Sequence, residues 1–479
     1  MAILDLQVIQ DDERFRAELA SVATDGKRKW VYARKPRGRF YTLRTLVSIV
    51  LLAFLAGAPF VTVGGHQFLL LNILERQFVF FGIPFWPDDL YLVAVLFLLG
   101  VVSIVLFTAI LGRIWCGWLC PQTVFLEMVF RKLEWLIEGS PGAQHARARG
   151  PWTFDRLWRF ALKQSLFFVI SFLIANIFLA YVVSSKTLLS FVREGPAAHL
   201  ETFLGLIFFT FVFYAVFARY REQACLVACP YGRFMSALVD ENTVTITYDT
   251  TRGEPRSKWH RDDQRATEET GHCIDCHACV AVCPTGIDIR NGIQLECVAC
   301  TACIDACDEI MEKTGLKKGL IRYASLNAIT TRAKRWLTPR IKAYITIWIL
   351  LVGVVITLFV TRSVFDVNIL RAPGTTWTKT ADGIANFYQL NIINKQAVAV
   401  PYGLAVLSPA GARITPLGLP KRVEAGEGMK GRFLITIPPT VEAAEREHSK
   451  HAIPEVDIVL GITSNGALLK QVRTELILP

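Results

Sequence analysis

The stretch CIDCHACVAVCPTGIDIRNGIQLECVACTACIDACD, residues 273–308, decides the fold of the most cysteine-rich part of this chain. It contains two runs with the spacing Cys-x2-Cys-x2-Cys-x3-Cys, and the second run begins 24 residues after the first. This spacing is typical of chains that hold two [4Fe–4S] clusters, with the fourth cysteine of each run ligating the cluster of the other run. We therefore predict one cluster on Cys273, Cys276, Cys279 and Cys307, and a second on Cys297, Cys300, Cys303 and Cys283.

Zinc and disulfide bonds are the alternatives for these eight cysteines. Structural zinc sites favour Cys-x2-Cys pairs over a duplicated run of four, and disulfides are disfavoured on the cytoplasmic side of a membrane. The second run is followed by Asp308, where the usual pattern has proline. Asp308 replaces no ligand, and its negative charge is expected to lower the potential of the nearby cluster. Iron–sulfur clusters are the favoured interpretation.

The composition indicates a membrane protein. Hydrophobic residues make up 52% of the 479 residues and charged residues 19%, with a mean hydropathy of +0.37. Soluble domains carry about 25% charged residues, so a purely soluble chain is not expected, and disorder over most of the chain is excluded by the apolar content. A spanning helix needs about 20 apolar residues. Five segments come close to this length: 45–63, 90–112, 164–183, 202–218 and 343–361.

Lysine and arginine are unevenly distributed over the loops, and together with the acidic residues they give a net charge of +11. Positive charge accumulates on the cytoplasmic side of membrane proteins, so no nucleic-acid partner is expected. We predict a multi-pass protein in the lipid bilayer of the bacterial inner membrane, with its N-terminus inside and its C-terminus outside. The basic flanks that carry this prediction are 27–39, 113–159, 219–221 and 332–342, whereas 64–89 and 184–201 are poor in positive charge.

The predicted fold class is a multidomain membrane protein: an α-helical transmembrane bundle of five spans, a cytoplasmic two-cluster ferredoxin-like domain and a C-terminal all-β domain. The last part has no cysteine and shows short alternating runs such as RFLITI and EVDIVLGI, which predict a β-sandwich. The expected parts are a basic cytoplasmic segment (1–44), transmembrane helices 1–4 (45–218), the ferredoxin domain (219–342), transmembrane helix 5 (343–361) and a periplasmic β-sandwich (362–479).

Two further apolar segments are too charged to span the membrane. Residues 67–86 carry Glu75 and Arg76 at their centre, and central charges are costly in lipid. We expect this segment to lie in the outer interface as a helix or loop. Residues 122–138 mix apolar and charged side chains, and we expect a second interfacial element there, on the inner side.

A second pair of cysteine motifs stands at the predicted cytoplasmic border of the membrane. CGWLCP at 116–121 ends the second span, and CLVACP at 225–230 follows the fourth. Because residues i and i+4 share one face of a helix, each motif should present its two thiols together. The proline should end or kink the helix. The four thiols would converge if the two helices pack together.

Three interpretations fit these border thiols, which belong to Cys116, Cys120, Cys225 and Cys229. They could be buried free cysteines that act as small hydrophobic residues. They could form a soft-metal site, because paired thiolates suit Cu(I). They could also undergo reversible dithiol–disulfide exchange, which is compatible with copper binding. The duplication of the motif at equal membrane depth favours the two chemical interpretations.

The motifs taken together carry a family resemblance. WCGWLCPQTVF (115–125), CLVACPYGRF (225–234), the stretch 273–308 and the β-rich tail follow one another in order. In these features the chain resembles the CcoG/RdxA/FixG family of cytochrome c oxidase accessory proteins over nearly its full length. The resemblance implies an immunoglobulin-like C-terminal domain and a role in assembling the cbb3-type haem–copper oxidase.

The resemblance also implies an activity, the reduction of Cu(II) to Cu(I), with copper as substrate or bound ion. The implied partners are copper chaperones or transporters and the oxidase assembly components. The family's cluster ligands carry over to the eight cysteines of 273–308. Its membrane thiols, the implied catalytic and copper-binding groups, carry over to Cys116, Cys120, Cys225 and Cys229.

Two other functions stay open at this point. A quinol-oxidising polyferredoxin like NapH shares four spans, paired Cys-x3-Cys-Pro motifs and two clusters, although the fifth span and the outer β-domain argue against it. A redox- or metal-sensing assembly scaffold would use the clusters to gate partner binding. No dinucleotide or flavin fingerprint is visible in the sequence, so electrons must come from a separate cytoplasmic donor or from quinol.

Overall fold

The computed structural model describes residues 25, 27–73, 77–85, 89–259, 270–332, 337–362, 365–372, 377–380, 382–395, 399–424, 428–440, 455–464 and 467–477. In the predicted basic segment 1–44, residues 1–24 and 26 therefore lie outside the described residues. The chain divides into two compact units. The first unit contains residues 1–61 and 93–355, and the second contains residues 62–92 and 356–479.

Fifteen α-helices run along the described residues, and short π-helical turns at 125–130, 216–220 and 224–228 continue some of them. In chain order the α-helices are α1 (Arg39–Gly57), α2 (Leu90–Leu111), α3 (Ile114–Trp118), α4 (Pro121–Val124), α5 (Arg131–Ile137), α6 (Pro141–Arg149), α7 (Phe154–Val183), α8 (Ser185–Glu194), α9 (Leu200–Ala215), α10 (Pro230–Leu238), α11 (Thr250–Gly253), α12 (Ala278–Ala281), α13 (Ala302–Lys313), α14 (Leu326–Thr330) and α15 (Pro339–Val360).

Among the described residues, five helices are long and apolar enough to cross a membrane, which confirms the predicted spans. They are α1, α2, α7, α9 and α15, with α1 and α9 extended by a turn to Phe60 and Tyr220. Helix α7 begins at Phe154, well before the apolar run, because the Thr153 hydroxyl caps it by accepting from the Arg156 N–H at 3.4 Å. Large apolar side chains such as Phe97 and Phe208 are exposed on these helices, as lipid-facing residues are.

The prediction for residues 122–138 is wrong in its environment. The segment is helical, as α4, a π-helical turn and α5, but it is buried within the first unit. Phe125 and Phe130 pack with Phe167 and Phe217, and Phe130 stacks on Phe217 with 4.5 Å between ring centroids. Three charged residues of the segment, Glu127, Arg131 and Glu134, are buried as well, and they form ion pairs: Arg131 lies 2.7 Å from Glu127.

The prediction of a helix or loop at 67–86 is also wrong, because the described part forms three antiparallel strands within the second unit. Strands β1 (Thr62–Val63) and β2 (His66–Gln67) pair first, followed by the sheet β3 (Leu69–Asn72), β4 (Gln77–Phe80) and β5 (Ile83–Phe85). Phe81 and Gly82 both adopt positive φ, 55° and 79°, as a two-residue hairpin turn requires. Glu75 and Arg76 lie outside the described residues.

Two strands of the first unit, β6 (Thr245–Tyr248) and β7 (Ile321–Ala324), pair antiparallel and flank the cysteine-rich stretch. The remaining strands belong to the second unit: β8 (Phe365–Arg371), β9 (Thr378–Thr380), β10 (Gly383–Asn394), β11 (Val400–Pro401), β12 (Gly403–Ser408), β13 (Arg413–Leu417), β14 (Arg422–Val423), β15 (Gly428–Ile437), β16 (Glu455–Ser464) and β17 (Ala467–Ile477).

Strands β8 to β17 form the predicted all-β domain. One sheet has the order β13-β15-β10-β8, with β9 also paired to β10, and another has the order β12-β16-β17. Inward-facing residues of both sheets, among them Tyr388, Phe433, Ile458 and Leu460, share one fully buried core. This alternation of buried and outward-facing residues is what holds the domain together without a cysteine.

Candidate redox site

The two cysteine runs fold into duplicated loops. Asp275 and His277 in the first run have φ of 52° and 53°, and Ala299 and Thr301 at the matching positions of the second run have φ of 53° and 64°. Left-handed backbone is uncommon for residues other than glycine and is concentrated at functional sites. Each loop leads into a helix, the first into α12 and the second into α13. The sequence duplication is therefore also a duplication of backbone conformation.

The loops bring together cysteines from opposite ends of the stretch. Burial raises the pKa of the Cys307 thiol, and the neighbouring thiols that raise it further include Cys279, Cys273 and Cys276. These four cysteines are the first predicted ligand set. The fourth cysteine of the second run thus lies beside the first three of the other run, as the crossed pattern requires.

The second predicted set gathers in the same way. Burial raises the pKa of the Cys303 thiol, and the neighbouring cysteines that raise it further are Cys300, Cys297, Cys283 and Cys279. The first three of these neighbours complete the second ligand set. Cys279 belongs to the first set, so the two groups of thiols lie within electrostatic reach of each other. This proximity suits electron transfer between two centres.

The residues present fit a four-iron cluster better than a single metal ion. Within the described parts of the chain, no three His, Cys, Asp or Glu side chains lie close enough to bind one ion. The thiolate ligands of a [4Fe–4S] cluster lie farther apart than the ligands of a single ion, because each thiolate binds a different iron. The donor set is sulfur throughout, and it sits among apolar side chains such as Ile246, Ile287 and Ile304.

Burial favours the protonated form of Cys279 and Cys297 when they have no metal. It raises the pKa of Cys297 to about 12 and that of Cys279 to about 12. Metal ligands must be thiolates, so iron has to displace these protons on binding. Cluster incorporation is therefore expected to release protons and to stabilise the folded stretch.

The border motifs share a backbone feature that the sequence does not reveal. The N–H of Cys120 donates to the carbonyl of Trp115 at 2.9 Å, and the N–H of Cys229 donates to the carbonyl of Ala224 at 2.9 Å. Both bonds span five residues, the spacing of a π-helical turn, which often marks a functional site. The expectation of an ordinary helix face is wrong, since α3 ends at Trp118.

Each motif ends where its proline begins the next helix. Pro121 is the first residue of α4 and Pro230 the first of α10. Proline is favoured at this position because its missing N–H would have no partner there in any case. The prolines thus end the cysteine-bearing turns, as their positions in the sequence predict.

The four border thiols lie near one another. Burial raises the pKa of Cys225 to about 12, and Cys120, Cys116 and Cys229 raise it further. Burial likewise raises the pKa of Cys116 to about 12, while Arg113 acts against it. The thiols are within electrostatic range, yet no three of them are close enough to ligate one ion in the described structure.

The first border motif is packed directly on the second cluster loop. A Cβ added to Gly117 would lie 2.5 Å from the carbonyl oxygen of Ala299 and 2.6 Å from that of Val298, so only glycine fits. Cys116 packs against the apolar group that contains Val298 and Cys300. The border thiols and the second ligand set are therefore neighbours.

Hydrogen bonds to residues of two further elements, β7 and α1, stabilise the contact between the first border motif and the second cluster loop. Trp118 donates from Nε1 to the Tyr323 hydroxyl at 3.2 Å, and that hydroxyl lies 3.4 Å from the carbonyl oxygen of Ala299. Arg44, on α1, donates from Nε to the carbonyl of Gly117 at 2.6 Å. Arg44 was not among the residues predicted from the sequence, although a charge inside a spanning helix is a recognised signal of function.

The second border motif is held to the first by Arg113. Its guanidinium donates to the carbonyl of Gly232, just beyond the Cys225–Cys229 turn. A Cβ on Gly232 would meet the carbonyl oxygen of Cys225 at 2.5 Å, so the chain passes very close to itself here. Arg113 is nearly fully buried and also lowers the pKa of Cys116 and Cys297 against the larger effect of burial.

Family models match three parts of the chain. A model of a 4Fe-4S dicluster domain matches residues 220–326, and a model of a 4Fe-4S binding domain matches residues 93–138. A model of the IG-like fold at the C-terminus of FixG matches residues 355–476. The first match contains both cluster loops and the second border motif, whereas the second match contains only Cys116 and Cys120 as thiols.

Curated relatives match over much longer stretches. Protein RdxB of Cereibacter sphaeroides is 33% identical over 456 residues, which cover 91% of this chain and 94% of RdxB. Protein RdxA of the same organism is 38% identical over 363 residues, covering 72% and 74% of the two chains. The chain belongs to the FixG/RdxA family.

As a member of the FixG/RdxA family, this chain is a membrane iron–sulfur redox protein. Nitrogen fixation protein FixG of Rhizobium meliloti is 37% identical over 308 residues, which cover 63% of this chain and 58% of FixG. The match to FixG thus spans less than two thirds of that protein. The family also accounts for the all-β tail, which takes the IG-like fold of the FixG C-terminus.

Proposed function

We propose that this protein reduces Cu(II) to Cu(I) for the assembly of a cbb3-type cytochrome c oxidase. The observation that carries the proposal is the packing of Cys116 against the loop of Val298 and Cys300, the second predicted cluster loop. When bound, the two [4Fe–4S] clusters supply single electrons, and each Cu(II) ion takes up one electron to become Cu(I). Eight cysteines would serve as cluster ligands and four border cysteines would handle copper.

The border thiols provide the chemistry that favours the product. Thiolates are soft ligands that select Cu(I) over Cu(II), so coordination by a thiol pair assists reduction. Burial raises the pKa of Cys116 and Cys225, and copper binding must displace their protons. Arg113 beside Cys116 stabilises the thiolate and holds Gly232 of the second motif in place.

The proposal includes an orientation and a set of partners. The basic flanks support a cytoplasmic N-terminus and cytoplasmic cluster loops, with the all-β domain in the periplasm of a bacterial inner membrane. Electrons would come from a cytoplasmic donor. Copper chaperones or transporters and oxidase assembly components would receive the Cu(I).

The direct test is single-turnover reduction of Cu(II) under anaerobic conditions. Full-length protein with both clusters reduced carries two electrons, so we expect up to two Cu(I) per chain, measured with a Cu(I)-specific chelator. Cys116→Ser and Cys229→Ser should slow this reduction while the EPR spectrum of the clusters stays unchanged. If both variants reduce copper as fast as wild type, the border thiols are not the copper site.

The same preparation tests the quinol alternative. Wild-type protein with oxidised clusters is mixed with menaquinol or ubiquinol, and cluster reduction is followed by EPR. Rapid reduction by quinol, with no Cu(I) formed by the reduced protein, would replace the copper proposal with quinol oxidation.

A further inference from the structure

A cavity of about 460 Å³ lies in the first unit among α5, α6, the start of α7 and the end of α9. Its wall is strongly basic, with six cations and two carboxylates. The cations are Arg147, Arg156, Arg159, Lys163, Arg219 and Arg221, and the carboxylates are Glu134 and Glu138.

The carboxylates of the wall neutralise only two of these cations. Arg221 forms a bidentate pair with Glu134 at 2.8 and 2.6 Å, and Lys163 lies 2.7 Å from Glu138. One more carboxylate, Asp155, stands behind the wall, 2.8 Å from Arg159 and 3.6 Å from Arg147. Six cations against these three carboxylates leave an excess of three positive charges around the cavity.

Backbone carbonyls hold three of the other arginines in place without neutralising them. Arg156 donates to the carbonyl of Gly150, which caps the end of α6. Arg147 and Arg159 donate to carbonyls at the end of α5. A carbonyl accepts a hydrogen bond and carries no net charge, so each guanidinium keeps its positive charge and its free donors. The arrangement is a built anion site rather than a set of freely moving surface chains.

The deepest cation is incompletely satisfied. Arg221 is only 6% exposed, and its Nε has no hydrogen-bond partner within the described residues. Glu222, which lies 4.0 Å from this Nε, is already paired with Arg28 at 2.7 Å. The rings of Trp30 face the guanidinium groups of Arg219 and Arg221 from 5.9 and 5.6 Å. An anion that enters the cavity would meet several cations held in place and one buried guanidinium, whose charge interactions are stronger than those in bulk water.

The surroundings of the cavity identify the anion. Trp152 and Phe154 are 64% and 85% exposed at the start of the spanning helix α7, and Phe160 lines the cavity itself. Exposed aromatic residues at the end of a span mark the level of the lipid headgroups. Basic pockets between spanning helices at this level bind phosphate-bearing headgroups. We propose that the cavity binds the phosphate of an anionic phospholipid.

The test uses full-length protein purified in a neutral detergent and stripped of lipid. Binding is measured from the rise in melting temperature as phosphatidylglycerol is added, with phosphatidylcholine as the neutral comparison. Each cation near an anionic lipid contributes roughly a factor of five in affinity. Arg219→Gln should therefore weaken binding about fivefold, and the double variant Arg156→Gln/Arg159→Gln about 25-fold.

The controls separate the site from general charge effects. Arg193→Gln removes an exposed arginine from α8, which joins the other ends of α7 and α9, and it should leave lipid binding unchanged. Because Arg156 and Arg159 also cap helices, Arg219→Gln decides the outcome if the double variant does not fold. Equal lipid affinity of wild type and Arg219→Gln would overturn the proposal. An equal rise in melting temperature with glycerol 3-phosphate in lipid-free detergent would overturn the assignment to a lipid.

Discussion

Arg44 donates from Nε to the carbonyl oxygen of Gly117 at 2.6 Å, and this single bond joins the first spanning helix to the first border motif. The arginine is 3% exposed, and its Nη2 has no hydrogen-bond partner in the described part of the chain. Burial raises the pKa of Cys300 to about 11, and the positive charge of Arg44 acts in the opposite direction. A buried cation thus stands beside the second predicted ligand set.

Replacing Arg44 should shift one cluster potential. Arg44→Gln removes a positive charge that favours the reduced, more negative cluster, so its midpoint potential should fall by about 40 mV, equivalent to ~1 kcal/mol for one electron. EPR-monitored redox titration measures the shift. Arg44→Lys should restore most of the potential, and the distant Arg193→Gln should not change it. An unchanged potential in Arg44→Gln would show that this charge does not act on the cluster.

The contact at Gly117 should not tolerate a methyl group. Gly117→Ala forces its Cβ against the carbonyls of Ala299 and Val298 and should cost about 1–3 kcal/mol of stability. It should also slow copper reduction, because it separates the border thiols from the cluster loop. Gly142→Ala, in α6, is the matched control: a Cβ there meets nothing within 4 Å, so melting temperature and rate should stay the same or rise slightly. Similar behaviour of the two variants would contradict the tight contact.

Iron analysis distinguishes copper from a third cluster at the border. Two [4Fe–4S] clusters contain four irons each, so anaerobically purified protein should hold eight irons per chain. The double variant Cys116→Ser/Cys225→Ser should keep all eight, whereas Cys279→Ser should lose iron. Because a 4Fe-4S binding-domain model matches residues 93–138, twelve irons in wild type and eight in the border variant would assign these thiols to iron instead of copper.

Asp89 should control the acid stability of the second unit. Burial raises the pKa of this carboxyl, but hydrogen bonds from Arg362 and Lys395, both at 2.7 Å, outweigh burial and lower the pKa below its usual value. A lowered folded-state pKa contributes stability above the unfolded pKa of about 3.9, and that stability disappears as the pH falls through the folded value. Wild type should therefore lose stability below about pH 4.

The substitution Asp89→Asn removes this contribution at neutral pH. It leaves Lys395, which is 4% exposed at its side chain, without its closest carboxylate, and we expect a loss of about 3 kcal/mol. Asp382→Asn, at an exposed position, should change stability little. Thermal unfolding of the full chain between pH 3 and pH 7, buffer values chosen to bracket the carboxyl range, measures both effects. A wild-type pH profile in Asp89→Asn would exclude the role of this ion pair.

The features that were predictable from the sequence are those with a strong local period. The spans follow from uninterrupted apolar runs, and the cysteine groups follow from a spacing that permits little else. The strands at 67–86 are not predicted because the apolar run hides the alternation that buries Leu70 and Asn72 and exposes Leu71. The mixture of apolar and charged residues at 122–138 predicts an interfacial element, but Arg131 and Glu127 are buried as a pair. Contacts such as that of Arg44 with Gly117 join segments that are far apart in the sequence, so no local sequence pattern predicts them.

The packing of Gly117 against Val298 and Ala299 can form only after the cluster loops have been synthesised. Chains emerge from the ribosome N-terminal end first, so Cys116 and Cys120 leave the tunnel long before Cys225 and the cluster loops that will cover them exist. During that interval the cluster loops do not yet cover the thiols of Cys116 and Cys120. We therefore expect these two thiols to be more accessible to oxidants and metal ions in the nascent chain than in the folded protein.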